Sequence, residues 1–324
     1  MTARAVASRL LQSIFALAVV TSVIWLIFRF IPGDPTTVFV GTGQLPADAA
    51  AAQRAQWGLD DPLWQQYLRY IRNVASGDFG MSFFYRRPVM EVILPALGNT
   101  VLLLGPAVLL AIFAGVSIGA WLGWKRGQAV EAMGSLLVLI PRALPAFWIG
   151  MVILFLFAYR RNWFPIGGIR TPAFYPETWY QSLPGFDIAQ HLVLPVLAAT
   201  IYFIADPLMI MRSAMLEVRQ EDFVSFARAR GLPERDLRRL ARRNALLPVV
   251  TYVGIMIGFA FGGQVLLEVV FSWPGMGRLM IAAVAERDYP VAQAAFLLMA
   301  TIVILINLAA DLICLRLDPR LSHG

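Results

Sequence analysis

Six stretches of this chain are apolar for about as many residues as a helix needs to cross a bilayer, and they leave little freedom in its folding. They lie near residues 10–31, 99–123, 133–159, 191–211, 247–271 and 291–315. A helix rises about 1.5 Å per residue, so roughly 20 largely apolar residues span the hydrocarbon core. None of the six shows the period-2 alternation of a barrel strand. A continuous helix satisfies its own backbone donors and acceptors, which lipid cannot do. The sequence is therefore read as an all-α integral membrane protein of six transmembrane helices. Composition agrees: 59% of the 324 residues are hydrophobic and only 15% charged, against about 25% charged in a soluble domain. Arg4 and Arg9 precede the first run as they would in a signal peptide. That run extends to about Ile31 and ends in Pro32-Gly-Asp-Pro35 rather than small residues, so it is read as a retained spanning helix.

The net charge of +7 would suggest nucleic acid in a soluble protein. Here it reads as the basic excess of cytoplasmic loops, and no basic stretch interleaves with exposed aromatics. With the N-terminus inside, the inner segments hold Arg4, Arg9, Lys125, Arg126, Arg316, Arg320 and nine arginines between 212 and 243. The outer loops at 160–190 and 272–290 hold Arg160, Arg161, Arg170, Arg278 and Arg287. Both termini are thus expected in the cytoplasm. Trp25, Trp121, Trp124, Trp163 and Trp273 are expected at the interfaces as an aromatic belt. The chain divides into residues 1–31 (N-terminal end and first helix), 32–98 (a small external cap with short helices at Ala47–Trp57 and Pro62–Val74) and 99–324 (the core helices). The core includes a cytoplasmic loop at 212–246. Cys314 is the one cysteine, which excludes an internal disulfide. His191 and His323 are the only histidines, too few for a His/Cys metal site.

A P-loop needs a lysine to neutralise the β- and γ-phosphates. Lys125, the only lysine, follows Trp124, so the chain has no such ATP site. Gly115-Val-Ser117-Ile-Gly119 matches a nucleophile elbow in spelling. It lies within an expected helix, and His191 sits roughly 20 Å away along the membrane normal, so a Ser–His dyad is excluded. The glycines read better as packing positions. Gly115, Gly119 and Gly123, and again Gly254, Gly258 and Gly262, recur every four residues, a spacing that lets helix backbones approach closely. In the 212–246 loop, Glu221 and Asp222 open a short helix. Phe223, Phe226, Ala227 and Gly231 follow at helical spacing with Arg228 and Arg230 beside them, and Pro233 starts another helix. Such a helix suits a groove on a protein partner; the alternative is a basic loop lying on lipid headgroups.

These residues carry a resemblance. Glu221-Asp-Phe-Val-Ser-Phe-Ala-Arg-Ala-Arg-Gly-Leu-Pro-Glu234, followed by Arg243-Asn-Ala-Leu-Leu-Pro248, resembles the cytoplasmic coupling loop of ABC importer permeases. More narrowly it looks like the B-type permease of dipeptide, oligopeptide and nickel importers. Pro32-Gly-Asp-Pro35, Gly58-Leu-Asp-Asp-Pro62, Gly77-Asp-Phe-Gly-Met-Ser82, Leu144-Pro-Ala-Phe-Trp148, His191-Leu-Val-Leu-Pro195, Phe271-Ser-Trp-Pro-Gly-Met-Gly277, Arg287-Asp-Tyr-Pro290 and Asp318-Pro-Arg320 agree in order along nearly the whole chain. Ser225 stands where the broader importer loop has glutamate, the Gly231–Pro248 stretch is one residue short, and Cys314 replaces a commoner tyrosine.

The resemblance implies a type I ABC importer permease fold in a prokaryotic cytoplasmic membrane. It implies a homologous second permease, two ATPase subunits that carry ATP and Mg, and an external substrate-binding protein. The segment Glu221–Gly231 would then couple to an ATPase. The implied function is import of short peptides by alternating access between two global states, with no catalysis by this chain. Nickel or another small solute is the alternative substrate. A stand-alone channel or secondary transporter would predict an inverted repeat, which the sequence lacks.

Three ionisable residues within the spans are candidates for the translocation pathway, since charge in lipid is costly. Arg142 lies between Pro141 and Pro145, and Asp206 precedes Pro207 at similar depth. They are expected to pair or to face the pathway near an inner gate; alternatively Asp206 meets Arg212. Glu268, near the outer end of the fifth span, is expected to help seal the outside or to steer a substrate ammonium.

Overall fold

Proline and glycine decide where these helices start, bend and stop. The computed structural model describes residues 3–30, 61–171 and 185–317. The expected Ala47–Trp57 helix, the Pro32–Pro35 and Asp318–Arg320 motifs and residues 58–60 lie outside the described residues. Among the described residues the secondary structure is helical; β-pairing is confined to one isolated bridge, Met81 with Pro88.

Helix α1 is Ala3–Phe30. Helix α2, Leu63–Ser76, starts after Pro62 and closes on Gly77, whose N–H bonds the Val74 carbonyl. Helix α3, Val89–Trp124, follows Pro88 and runs for 36 residues, about 54 Å. It therefore begins ten residues inside the segment expected to be external cap. Helices α4 (Ala129–Arg142) and α5 (Ala146–Ile153, prolonged by a π turn at Leu154–Tyr159) follow. Then come α6 (Phe186–Phe203) and α7 (Ala205–Val218), stepped at Ile204. The remainder are α8 (Asp222–Ala229), α9 (Glu234–Ala245), α10 (Leu247–Gly263), α11 (Val265–Val270), α12 (Met276–Ala285) and α13 (Tyr289–Leu317).

Among the described residues four helical spans are long and apolar enough to cross a membrane: α1, α3, α6 with α7, and α13. The third apolar stretch is not the continuous helix its hydropathy suggests, because α4 and α5 meet at 97°. Pro145 has no N–H to continue the ladder, and it pushes Leu144 out of helical geometry. Ala143 and Leu144 instead close α4 by bonding the Leu139 and Pro141 carbonyls at 3.1 Å, and α5 restarts on the Pro145 carbonyl. The fifth stretch breaks at Gln264 between α10 and α11, and α9 leads into it through a 49° bend.

Apolar burial does not drive helices together inside lipid, so close fit must. Helix α3 lies against α7 along most of its second half and against α6 beside it. Helix α13 packs on α10, α12 and α1. A central core gathers Leu103, Leu104, Ile153, Leu194, Phe203, Met256, Phe271 and Trp273. One smaller core, with Met211, Met215, Ala241 and Val249, sits at the end carrying Arg212, Arg219 and α9. This is called the arginine-rich end below. Another, with Ile93, Met276, Leu279 and Val291, sits at the opposite end. Trp273 corrects the aromatic-belt expectation. It is 0% exposed, with its indole N–H donating to the Asn99 carbonyl at 2.8 Å, whereas Trp121 and Trp163 are exposed.

Candidate functional site

The glycine seams identify their neighbours. A Cβ on Gly115 would stand 3.0 Å from the Ile204 carbonyl oxygen, and one on Gly123 2.8 Å from that of Arg212. One on Gly119 would lie 3.1 Å from the Leu208 Cα, and nearer to its carbonyl oxygen. The first seam therefore joins α3 to the backbone of α7. In the second, Gly254 meets Ala310 and Gly258 meets Asn307 on α13. Gly262 differs: its added Cβ would make only ordinary contact with Val303 at 3.8 Å, so close approach does not require glycine there. Ser117, within α3, has no strand-to-helix turn around it. His191 is engaged elsewhere, with the Gly168 carbonyl at 3.1 Å and the Thr171 hydroxyl at 3.3 Å.

At the 97° bend the structure brings Arg142 and Asp206 together. Arg142 Nε donates to Asp206 Oδ1 at 3.1 Å and Nη2 donates to Oδ2 at 3.3 Å. The fork-to-fork geometry is the strong form of this pair. Two tyrosines complete it. Arg142 Nη1 donates to Tyr202 Oη at 2.9 Å and its guanidinium lies 4.9 Å from that ring; Tyr252 Oη donates to Asp206 Oδ2 at 2.7 Å. Four groups from α4, α6, α7 and α10 thus meet at one point. Arg212, the alternative partner for Asp206, is occupied by Glu131 instead. Tyr202, one turn before Asp206, was legible by helical spacing; Tyr252 had no local signal.

At the opposite end Glu268 is an anchor. It is 2% exposed. Its Oε1 accepts from the Thr100 hydroxyl at 2.6 Å and its Oε2 from the Arg278 N–H at 3.1 Å. Thr100 Oγ1 in turn accepts the Met276 N–H at 2.8 Å, and Asn99 Nδ2 donates to the Pro274 carbonyl at 2.9 Å. The carboxylate therefore sits at the N-terminus of α12, where free N–H groups and the helix dipole favour an anion. Glycine at 275 is dictated by this arrangement, since a Cβ there would overlap the carboxylate. The adjoining cavity, lined by Thr100, Gln264, Phe261, Met280 and Met299, holds about 40 Å³. That is room for a few waters, far below the several hundred Å³ of a ligand pocket.

Nearby, the completely buried Asp288 accepts from the Ser82 hydroxyl and from the Phe83 and Phe84 N–H groups at 3.2 Å. This ties the Gly77–Ser82 motif to the Arg287–Pro290 motif across more than 200 residues, a link no local pattern reveals. Burial, then the Asp288 and Glu286 carboxylates, push the Tyr85 hydroxyl above its ordinary pKa.

At the arginine-rich end, α8 opens on Glu221 and Asp222 and closes through Arg230. Gly231, at φ +82°, turns the chain so that its N–H and that of Leu232 bond the Arg228 and Ala227 carbonyls. Val224 is fully buried, while Phe223 and Phe226 are exposed, Phe226 by 71%. Arg228 bonds Glu234 at 3.2 Å and Ala227 is half-buried. Helix α8 thus stands on one apolar residue and turns two aromatics outward.

Comparison with known families assigns the class. The profile of the binding-protein-dependent transport system inner membrane component matches residues 111–323, and that of its N-terminal component residues 2–104. The chain belongs to this family of importer membrane subunits. Its relatives include the dipeptide transport system permease protein DppB of Escherichia coli (strain K12), 36% identical over 310 residues covering 91% of both chains. The di/tripeptide transport system permease protein DppB of Pseudomonas aeruginosa (strain UCBPP-PA14) is 37% identical, with 94% of both chains covered. The oligopeptide transport system permease protein AppB of Bacillus subtilis (strain 168) is 34% identical, covering 97% of this chain and 98% of that one.

Proposed function

We propose that this chain is the B-type permease of an ATP-driven importer of short peptides. Its six spans would have both termini in the cytoplasm, counting the bent α4–α5 pair as one and α10 with α11 as another. The arginine-rich end then faces inward and residues 61–88 outward. A homologous permease completes the pathway, an external protein delivers peptide, and two ATPases supply ATP and Mg. The observation that carries this reading is family membership along nearly the whole chain, with relatives named for dipeptides, di/tripeptides and oligopeptides.

Helix α8 supports the docking role, because Phe223 and Phe226 form an exposed aromatic face suited to a groove. The Glu221–Gly231 segment is the coupling element in this reading. The Arg142–Asp206–Tyr202–Tyr252 cluster suits an inner gate, since it joins four helices at the bend. Glu268 suits an outer seal better than contact with a substrate ammonium, because its oxygens are already engaged. The test is copurification and reconstitution. A tagged chain is expected to bring down a sister permease and two P-loop ATPases. In proteoliposomes with the binding protein the complex is expected to take up labelled dipeptide only with ATP. Purification and transport by this chain alone would refute the reading, and uptake of nickel in place of peptide would refute its substrate.

A further inference from the structure

Helix α4 is held to α7 at both ends by ion pairs of opposite sense. In its first turn Glu131 accepts from Arg212, whose Nε stands at 2.9 Å; in its last turn Arg142 donates to Asp206. The α4 residues lie about 16 Å apart along the helix axis and their α7 partners about 9 Å. Helix α4 also touches α3, where a Cβ on Gly134 would stand 2.8 Å from the Leu122 side chain, and α6, through the Arg142–Tyr202 bond. Of its fourteen residues only Glu131 is buried, while Met133, Leu136, Leu137, Leu139 and Ile140 are exposed. The preceding turn is tied to α4 and to the end of α7. The Gly127 N–H donates to Glu131 Oε2 at 3.0 Å, and Arg219 Nη1 donates to the Trp124 carbonyl at 3.0 Å. Two residues beyond Arg219, the chain reaches Glu221, where α8 begins.

We propose that these crossed pairs make α4 a passenger of α7. Displacement of α8 then moves α7, α4 and the 143–145 bend as one body, and Glu131 and Arg212 are positioning residues for coupling. The transport consequence rests on α8 being the ATPase-docking helix; the clamp itself does not. Much of the apolar surface of α4 is exposed within the chain, so the two pairs are the polar links that fix its register on α7. Both pairs are only partly exposed, so salt and water screen them less than a fully exposed pair.

The experiment uses the assembled transporter in proteoliposomes, on a Cys314→Ser background, with spin labels at Met133 and Ser213, one exposed position on each helix. The interlabel distance is expected to be narrow and unchanged by a non-hydrolysable ATP analogue. Arg212→Gln is expected to broaden it and to raise ATP hydrolysed per substrate imported about fivefold, the low end of typical coupling energies. Glu131→Arg with Arg212→Glu is expected to restore both. Should the swap fail to assemble, Glu131→Gln is expected to reproduce the Arg212→Gln result. A nucleotide-dependent distance in the unmodified pair, or no broadening in an assembled Arg212→Gln complex, overturns the proposal. If no ATPase copurifies, the docking reading fails, and the broadening still decides the clamp.

Discussion

Replacing Gly119 by alanine tests the α3–α7 seam most directly. The added Cβ would stand 3.1 Å from the Leu208 Cα and carbonyl carbon, and closer to the oxygen, where ordinary contact begins at 3.4 Å. These are backbone atoms inside a helix, so no rotamer change relieves them. The helices must part, and a gap of about 0.5–1 Å forfeits a quarter to a half of each dispersion contact it opens. Gly115 and Gly123 on either side are also in close contact with α7, so parting at the centre opens the whole seam. Overpacking of this kind costs about 1–3 kcal/mol, and the rigid partner sets the expectation near the upper figure.

Gly105 on the same helix supplies the control, because nothing lies within 4 Å of its added Cβ. Gly105→Ala should gain about 0.5–1 kcal/mol from helix propensity. The two substitutions, identical in chemistry, should therefore differ by roughly 3 kcal/mol. Equilibrium unfolding of the purified chain in mixed micelles, titrated with a denaturing detergent, measures that difference. Equal effects at Gly119 and Gly105 would refute the seam.

Two further outcomes are expected. Arg142→Met should destabilise by about 1–3 kcal/mol, because the partly exposed Asp206 loses both guanidinium bonds and keeps that from Tyr252; adding Asp206→Leu should recover most of that stability in the same titration, without recovering coupled transport. Full stability of the single variant would show that the pair contributes nothing. Glu268→Ala removes the acceptor for Thr100 and Arg278 and should cost about 2–3 kcal/mol. It should also speed labelling of a cysteine placed at Met280 by a membrane-impermeant thiol reagent; an unchanged rate would rule out the seal.

Hydropathy alone located the apolar stretches, because length and composition are local properties and lipid imposes a threshold on both. Spacing alone located the glycine seams and the Glu221–Gly231 helix, since a four-residue repeat and a terminal glycine act within a single helix. Their partners needed the tertiary structure. The four-residue repeat that marks Gly119 also marks Gly262, yet one faces a backbone and the other open contact. Pro141 and Pro145 announced a weak point, but the 97° angle between α4 and α5 is visible only in the folded chain. Trp273 looked interfacial by position and is buried, because the chain turns inward through Pro274 and bonds it to Asn99. The clamp on α4 was beyond any sequence pattern. Glu131 and Arg212 are far apart in the chain, and a charge selects its partner only when folding brings two helix faces together.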